Sequence, residues 1–138
     1  MINEVALNKK ISIERCIQQI RNFYAQKSDL PFDTDYLKQD AIAMNLQRAC
    51  QLAIDLANHT IKVKKLGLPQ DSKNSFELLA VAKVIDPQLS GNLQAMVGFR
   101  NVLVYEYQEL DLGVMIDVIE NHLDKLRVFA NCLLEVLD

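Results

Sequence analysis

Apolar residues recur along this chain at spacings of three and four, the signature of helices buried along one side. Ile13, Ile17, Ile20 and Tyr24 mark one face of a first helix, which ends before the turn-rich "SDLP" segment at Ser28. A second face runs through Ile42, Leu46, Ala49, Ala53 and Leu56. Its helix begins near Asp33 or Thr34 as N-cap and runs to "KVKKLG", where Gly67 offers a C-terminal stop. That makes about thirty residues, long beside the roughly 8–20 of a typical helix. Pro69 breaks the chain, and "NSFELLAVAKVI" reads as a short third helix with Asn74 and Glu77 spaced as a capping box. Asp86-Pro87 opens a fourth, with the acid at N-cap and proline at the first helical position. In the fifth, Leu112, Ile116, Ile119, Leu123, Leu126, Ala130, Leu133 and Leu137 keep an unbroken rhythm. No strand pattern and no internal repeat interrupts this series. The expected fold is all-α: an up-and-down bundle of four long helices and one short helix, in a single domain over residues 1–138.

Composition narrows the function classes. The chain has 138 residues, enough to bury a core, and is half hydrophobic and 24% charged, which points to a globular protein. A net charge of −3 argues against a strongly basic nucleic-acid binder but leaves room for RNA contact through a local basic cleft. No signal-like or membrane-spanning apolar stretch is present, so a cytoplasmic location with no membrane partner is expected. Cys16, Cys50 and Cys132 are far apart, lack metal-ligand spacing and read as small buried hydrophobes. His59 and His122 lie on different helices without ligands at zinc-like spacing, so no metal and no cofactor is expected. Lys62, Lys64 and Lys65 complement the dipole at the end of the second helix, a reading preferred to a phosphate site.

One stretch resists a purely structural reading. The seam of the fourth helix is Leu89, Leu93, Met96, then Arg100, then Leu103 and Tyr107. Arg100 stands where an apolar residue belongs, with no acid on that face to pair with it, and burying a lone charge is expensive. Tyr107 would share its side if the helix persisted, and Asn101 and Tyr105 share a neighbouring face. Two readings are open. The cluster binds phosphate, which suits the planar, permanently charged guanidinium. Alternatively, Arg100 is salt-bridged to an acid on another helix and the tyrosines are core edges.

The same residues resemble a known signature. Arg100-Asn101, three further residues, then Tyr105-Glu106-Tyr107 is similar to the motif of the HEPN family, in particular the HepT-like toxins, where Arg and a polar neighbour precede His-x-Tyr. "NLQRACQLAIDLANH", "LGLPQDSKNSFELL" and "LSGNLQAMVGFRNVLVYEYQELDL" carry the resemblance in order and spacing across nearly the whole chain. The resemblance implies an all-helical homodimer with the two signature arginines facing a shared cleft. It further implies a metal-independent endoribonuclease acting as the toxin of a toxin–antitoxin pair. The implied partner is a minimal nucleotidyltransferase, MNT, which silences the toxin by transferring AMP to the tyrosine of His-x-Tyr. By the same resemblance Arg100 is the phosphate-binding arginine, Asn101 its polar neighbour and Tyr107 the AMP acceptor.

At the histidine the sequence departs from the pattern: the catalytic position is Tyr105. Metal-free RNA cleavage needs a base for the 2′-hydroxyl proton and an acid for the leaving 5′-oxygen, and histidine suits both near neutral pH. A phenol with a reference pKa of about 10 is a poor replacement. The expectation is therefore a HepT-like ribonuclease toxin in weakened or inactive form. The alternative is a catalytically impaired HEPN subunit that mainly engages a nucleotidyltransferase as acceptor or scaffold.

Overall fold

A computed structural model describes residues 3–138, and the helical rhythm of the sequence appears there as six α-helices joined by short connections. They are α1 (Glu4–Ala25), α2 (Tyr36–Lys64), α3 (Ser72–Val81), α4 (Pro87–Tyr105), α5 (Leu112–Asn121) and α6 (Leu123–Leu137). A 3₁₀ turn, Tyr107–Glu109, follows α4. The fold is all-helical, as expected. Among the described residues no helix is long and apolar enough to cross a membrane.

Capping explains where the helices begin. The Asp86 carboxylate accepts from the Leu89 amide at 2.7 Å and Pro87 follows at the first position, so α4 starts where the sequence placed it. The second helix starts later than expected: Asp35, not Asp33 or Thr34, accepts from the Lys38 amide at 3.1 Å. The third starts earlier. Asp71 caps the Asn74 amide at 2.7 Å, and Asn74 reaches back to the Gln70 amide at 3.1 Å. Asn74 is thus the third helical residue, accepting from the amide before the N-cap, rather than the N-cap itself. At the end of α2, Lys65 adopts the left-handed conformation (φ 55°, ψ 51°) and the Leu66 amide closes back on the Ile61 carbonyl at 2.9 Å. The stop therefore comes two residues before Gly67, whose own φ of 126° redirects the chain toward α3.

The expected fifth helix is two helices. His122 leaves helical geometry (φ −124°, ψ −8°), and its ring is held by Asp117 at 2.9 Å and Lys125 at 2.6 Å. The apolar rhythm crosses this break because Ile119 and Leu123, on either side of it, both remain buried.

Helix α1 packs on α2 and α6, while α3 and α4 close the other side of α2. Ala49, Ala53 and Ala57 give α2 a small-residue face that admits close neighbours, flanked by fully buried Leu46 and Leu56. Phe76 of α3 meets Phe129 of α6 edge-on at 5.3 Å in the centre. Two polar ties orient α3: the Ser75 hydroxyl donates to Asn58 on α2 (2.6 Å), and the Ser90 hydroxyl of α4 donates to the Phe76 carbonyl (2.9 Å). Helices α2 and α4 are thereby tied through α3, and that pair carries the candidate site.

Candidate functional site

Leu89, Leu93, Met96 and Leu103 of α4 are buried along the seam, and half-buried Arg100 lies among them. Its guanidinium finds amides instead of an acid. Nη2 donates to Oε1 of Gln51 on α2 at 2.6 Å, and Nη1 donates to Oδ1 of its neighbour Asn101 at 3.0 Å. Nε is enclosed without an acceptor. No carboxylate pairs with Arg100 among the described residues. The alternative of an inter-helix salt bridge therefore gives way to neutral anchoring, which aims the guanidinium while leaving its charge uncompensated. Such a group retains full attraction for an anion. Beside it, burial pushes the Cys50 thiol up to about 12 against the opposing pull of Arg100, so this cysteine is protonated at neutral pH.

The two tyrosines part company at the end of α4. Tyr105 is the last helical residue and is 75% exposed. Glu106 then turns out of the helix (φ −138°, ψ 37°) and delivers Tyr107 into the 3₁₀ turn. The Tyr107 hydroxyl donates to Oδ1 of Asp40 on α2 at 2.8 Å. Burial first, then the hydrogen bond and charge of Asp40, push its pKa up to about 12.

The convergence expected from helical continuation is thus replaced by two stations along one face of α2. Arg100 meets α2 at Gln51 and Tyr107 meets it at Asp40, eleven residues apart. At 1.5 Å rise per residue that is about 16 Å along α2, and eleven steps of 100° return to within about 20° of the same face. Exposed Met44 and Gln47 fill the stripe between them. Arg100 and Asn101 are hydrogen-bonded to each other, whereas Tyr107 stands further along that face.

The model for the family described as "Ribonuclease HepT-like" matches residues 13–133. This chain belongs to the HepT-like family. The HepT-like relatives include "mRNA nuclease HepT" of Shewanella oneidensis, 42% identical over 130 residues, which cover 94% of this chain and 96% of that protein. A second, "tRNA nuclease HepT" of Aphanizomenon flos-aquae, is 32% identical over 66 residues, covering 48% of this chain and 45% of the relative. Among solved structures, the tri-AMPylated Shewanella oneidensis HEPN toxin in complex with MNT antitoxin superposes with a TM-score of 0.89. That toxin is 41% identical, and the match covers 96% of this chain and 98% of it.

The face of α2 that meets Arg100 and Tyr107 carries two residues that sequence reasoning passed over, Gln51 and Asp40. Each meets its tyrosine or arginine across a long sequence separation, which spacing along a single helix cannot show.

Proposed function

We propose that this chain is the toxin of a toxin–antitoxin pair, a metal-independent endoribonuclease that acts as a homodimer on RNA in the cytoplasm. The observation that carries the reading is Arg100, held by two amides on an apolar seam with its charge unpaired and its Nε unsatisfied. No ion pair among the described residues uses its charge, and a phosphate would.

In this reading Arg100 binds the scissile phosphate and stabilises the charge that builds on it as the 2′-oxygen attacks phosphorus. Asn101 keeps the guanidinium in register. Tyr105 stands where the family signature has histidine, exposed to an incoming strand at the end of α4. Its phenol can donate to a phosphate oxygen or to the leaving 5′-oxygen, but it is a weak base at neutral pH. Cleavage is accordingly slow. That same substitution favours the second reading, a subunit whose principal work is to engage its nucleotidyltransferase.

Silencing falls to Tyr107. A phenol with its pKa pushed up to about 12 is fully protonated, so nucleotidyl transfer from ATP needs a base. Asp40 already accepts that proton at 2.8 Å. As the Tyr107 oxygen bonds to the α-phosphorus, the bond to pyrophosphate breaks and the proton passes to the carboxylate. Added AMP then lies against α2 and places negative charge on the approach to Arg100, repelling RNA phosphate.

The test is cleavage of single-stranded RNA by the purified chain. Removing a positioned charge donor, as in Arg100→Ala, should cost about 10²–10³ in rate, and EDTA should cost nothing. Undiminished cleavage by the variant would remove Arg100 from the site.

A further inference from the structure

Behind Gln51, on the side facing α1, opens a cavity of about 460 Å³ whose wall includes Arg15, Gln19, Asn45, Arg48, Gln51 and Asp55. Its volume falls within the roughly 300–1,000 Å³ of ordinary ligand clefts. The wall is built from two facing rows. Ser12, Arg15 and Gln19 follow one another at helical spacing on α1, as do Asn45, Arg48 and Gln51 on α2.

Its charges are uneven. The one carboxylate in the wall, Asp55, is committed to Gln51 at 2.9 Å and to Lys9 at 3.8 Å. Arg15 and Arg48, by contrast, form no ion pair among the described residues. Elsewhere in the same bundle arginines find acids: Arg21 and Arg127 both bind Asp124. Both arginines line the same cavity as Cys16, and their charges oppose the rise that burial gives its thiol. Gln51 joins this cleft to the candidate site. Its carbonyl oxygen holds Arg100 while its amide nitrogen holds Asp55.

We propose that the α1–α2 cleft is a second phosphate-binding site, in which Arg15 and Arg48 grip the backbone of single-stranded RNA next to the nucleotide presented to Arg100. A protein of net charge −3 cannot attract RNA by overall charge, so affinity has to come from a local track. Three arginines arranged around Gln51 form one. Guanidinium groups take phosphate oxygens in pairs, and the amides of Gln19 and Asn45 supply neutral donors and acceptors for ribose. Arg48 lies one turn from Gln51, which places its grip beside the scissile phosphate.

This inference rests on the ribonuclease reading, and its test separates the two. Binding of a short, cleavage-resistant 2′-O-methyl RNA to the full chain is followed by fluorescence anisotropy across a range of salt concentrations. Each phosphate neutralised on a single strand contributes about 0.7 to the slope of log affinity against log salt. Arg15→Gln/Arg48→Gln should therefore flatten the slope by about 1.4 and weaken binding. The charge-matched Lys62→Gln/Lys64→Gln variant should leave the slope unchanged, as those lysines lie at the far end of α2. Arg15→Lys/Arg48→Lys should retain most of it. An unchanged slope in the double glutamine variant, while the parent binds RNA, would overturn the cleft alone. Equal losses in the lysine-to-glutamine control would reduce it to diffuse charge and overturn it too. A parent that does not bind RNA would overturn both this inference and the ribonuclease reading. Loss of association with the nucleotidyltransferase, with RNA binding intact, would give the cleft to the antitoxin and overturn the proposal.

Discussion

Replacing Arg100 by methionine separates what that side chain does for the fold from what it does for the site. Methionine keeps an unbranched stem and brings no charge to the seam. The substitution removes the bonds to Gln51 and Asn101. Hydrogen bonds to a charged group contribute about 1.5–3 kcal/mol, but both acceptors are only partly buried, so water can replace the lost donors. Against that loss, the enclosed and unsatisfied Nε disappears, relieving about 1–3 kcal/mol. A half-buried thioether beside Met96 and Leu103 adds about 1 kcal/mol of apolar burial. These terms place Arg100→Met between no change and about 2 kcal/mol of added stability, as when a buried charge is replaced by a well-packed apolar group. Leu103→Ala, one turn along the same seam, should instead lose about 2–5 kcal/mol. Urea unfolding at matched protein concentration, with unchanged slope, reads both values. RNA cleavage should fall by about 10²–10³ in Arg100→Met, as in Arg100→Ala. A loss of more than about 2 kcal/mol in that variant would mean that the fold itself requires the arginine.

Asp40→Asn should lower the pKa of Tyr107 from about 12 toward the ordinary phenol value, with burial holding it somewhat above, and tyrosinate absorbance titration reads the change. The sign follows for stability: a pKa raised by folding means a contribution complete below about pH 10 and lost as pH climbs through about 12. The parent should therefore lose more stability across that alkaline window than the variant, and identical curves would remove Asp40 as the cause. Tyr107→Phe should take up no AMP from the cognate nucleotidyltransferase and ATP, read by intact mass; unchanged labelling would move the acceptor to Tyr105 or another hydroxyl.

The legible parts of this protein are those set by local chemistry. Asp86-Pro87 announces α4 because both residues act within one turn, and the four-three rhythm of Leu46, Ala49, Ala53 and Leu56 reports a face that is indeed buried. Two overlapping caps competed at α3. Asp71 won because its carboxylate reaches the Asn74 amide while Asn74 serves Gln70, so the shorter pattern beginning at Asn74 described the wrong member of the pair. The break at His122 left no trace in the apolar pattern, since Ile119 and Leu123 keep their spacing and no proline or glycine marks the site. Arg100 was conspicuous as a charge on an apolar seam. Its partner was not, because Gln51 lies 49 positions away, and neither was the exit of the chain at Glu106 that carries Tyr107 to Asp40.

The role of position 105 is tested most directly by the RNA cleavage rate of Tyr105→His beside that of the parent and of Tyr105→His/Arg100→Ala. If Tyr105 occupies the acid–base position, histidine should raise the rate by about 10²–10⁴. Its pH–rate profile should then gain a limb near the histidine pKa of about 6.5. The gain should disappear when Arg100 is removed as well. At 75% exposure the substitution leaves the packing untouched, so the comparison reads chemistry. Equal rates for parent and Tyr105→His, with no new limb, would remove position 105 from the acid–base role.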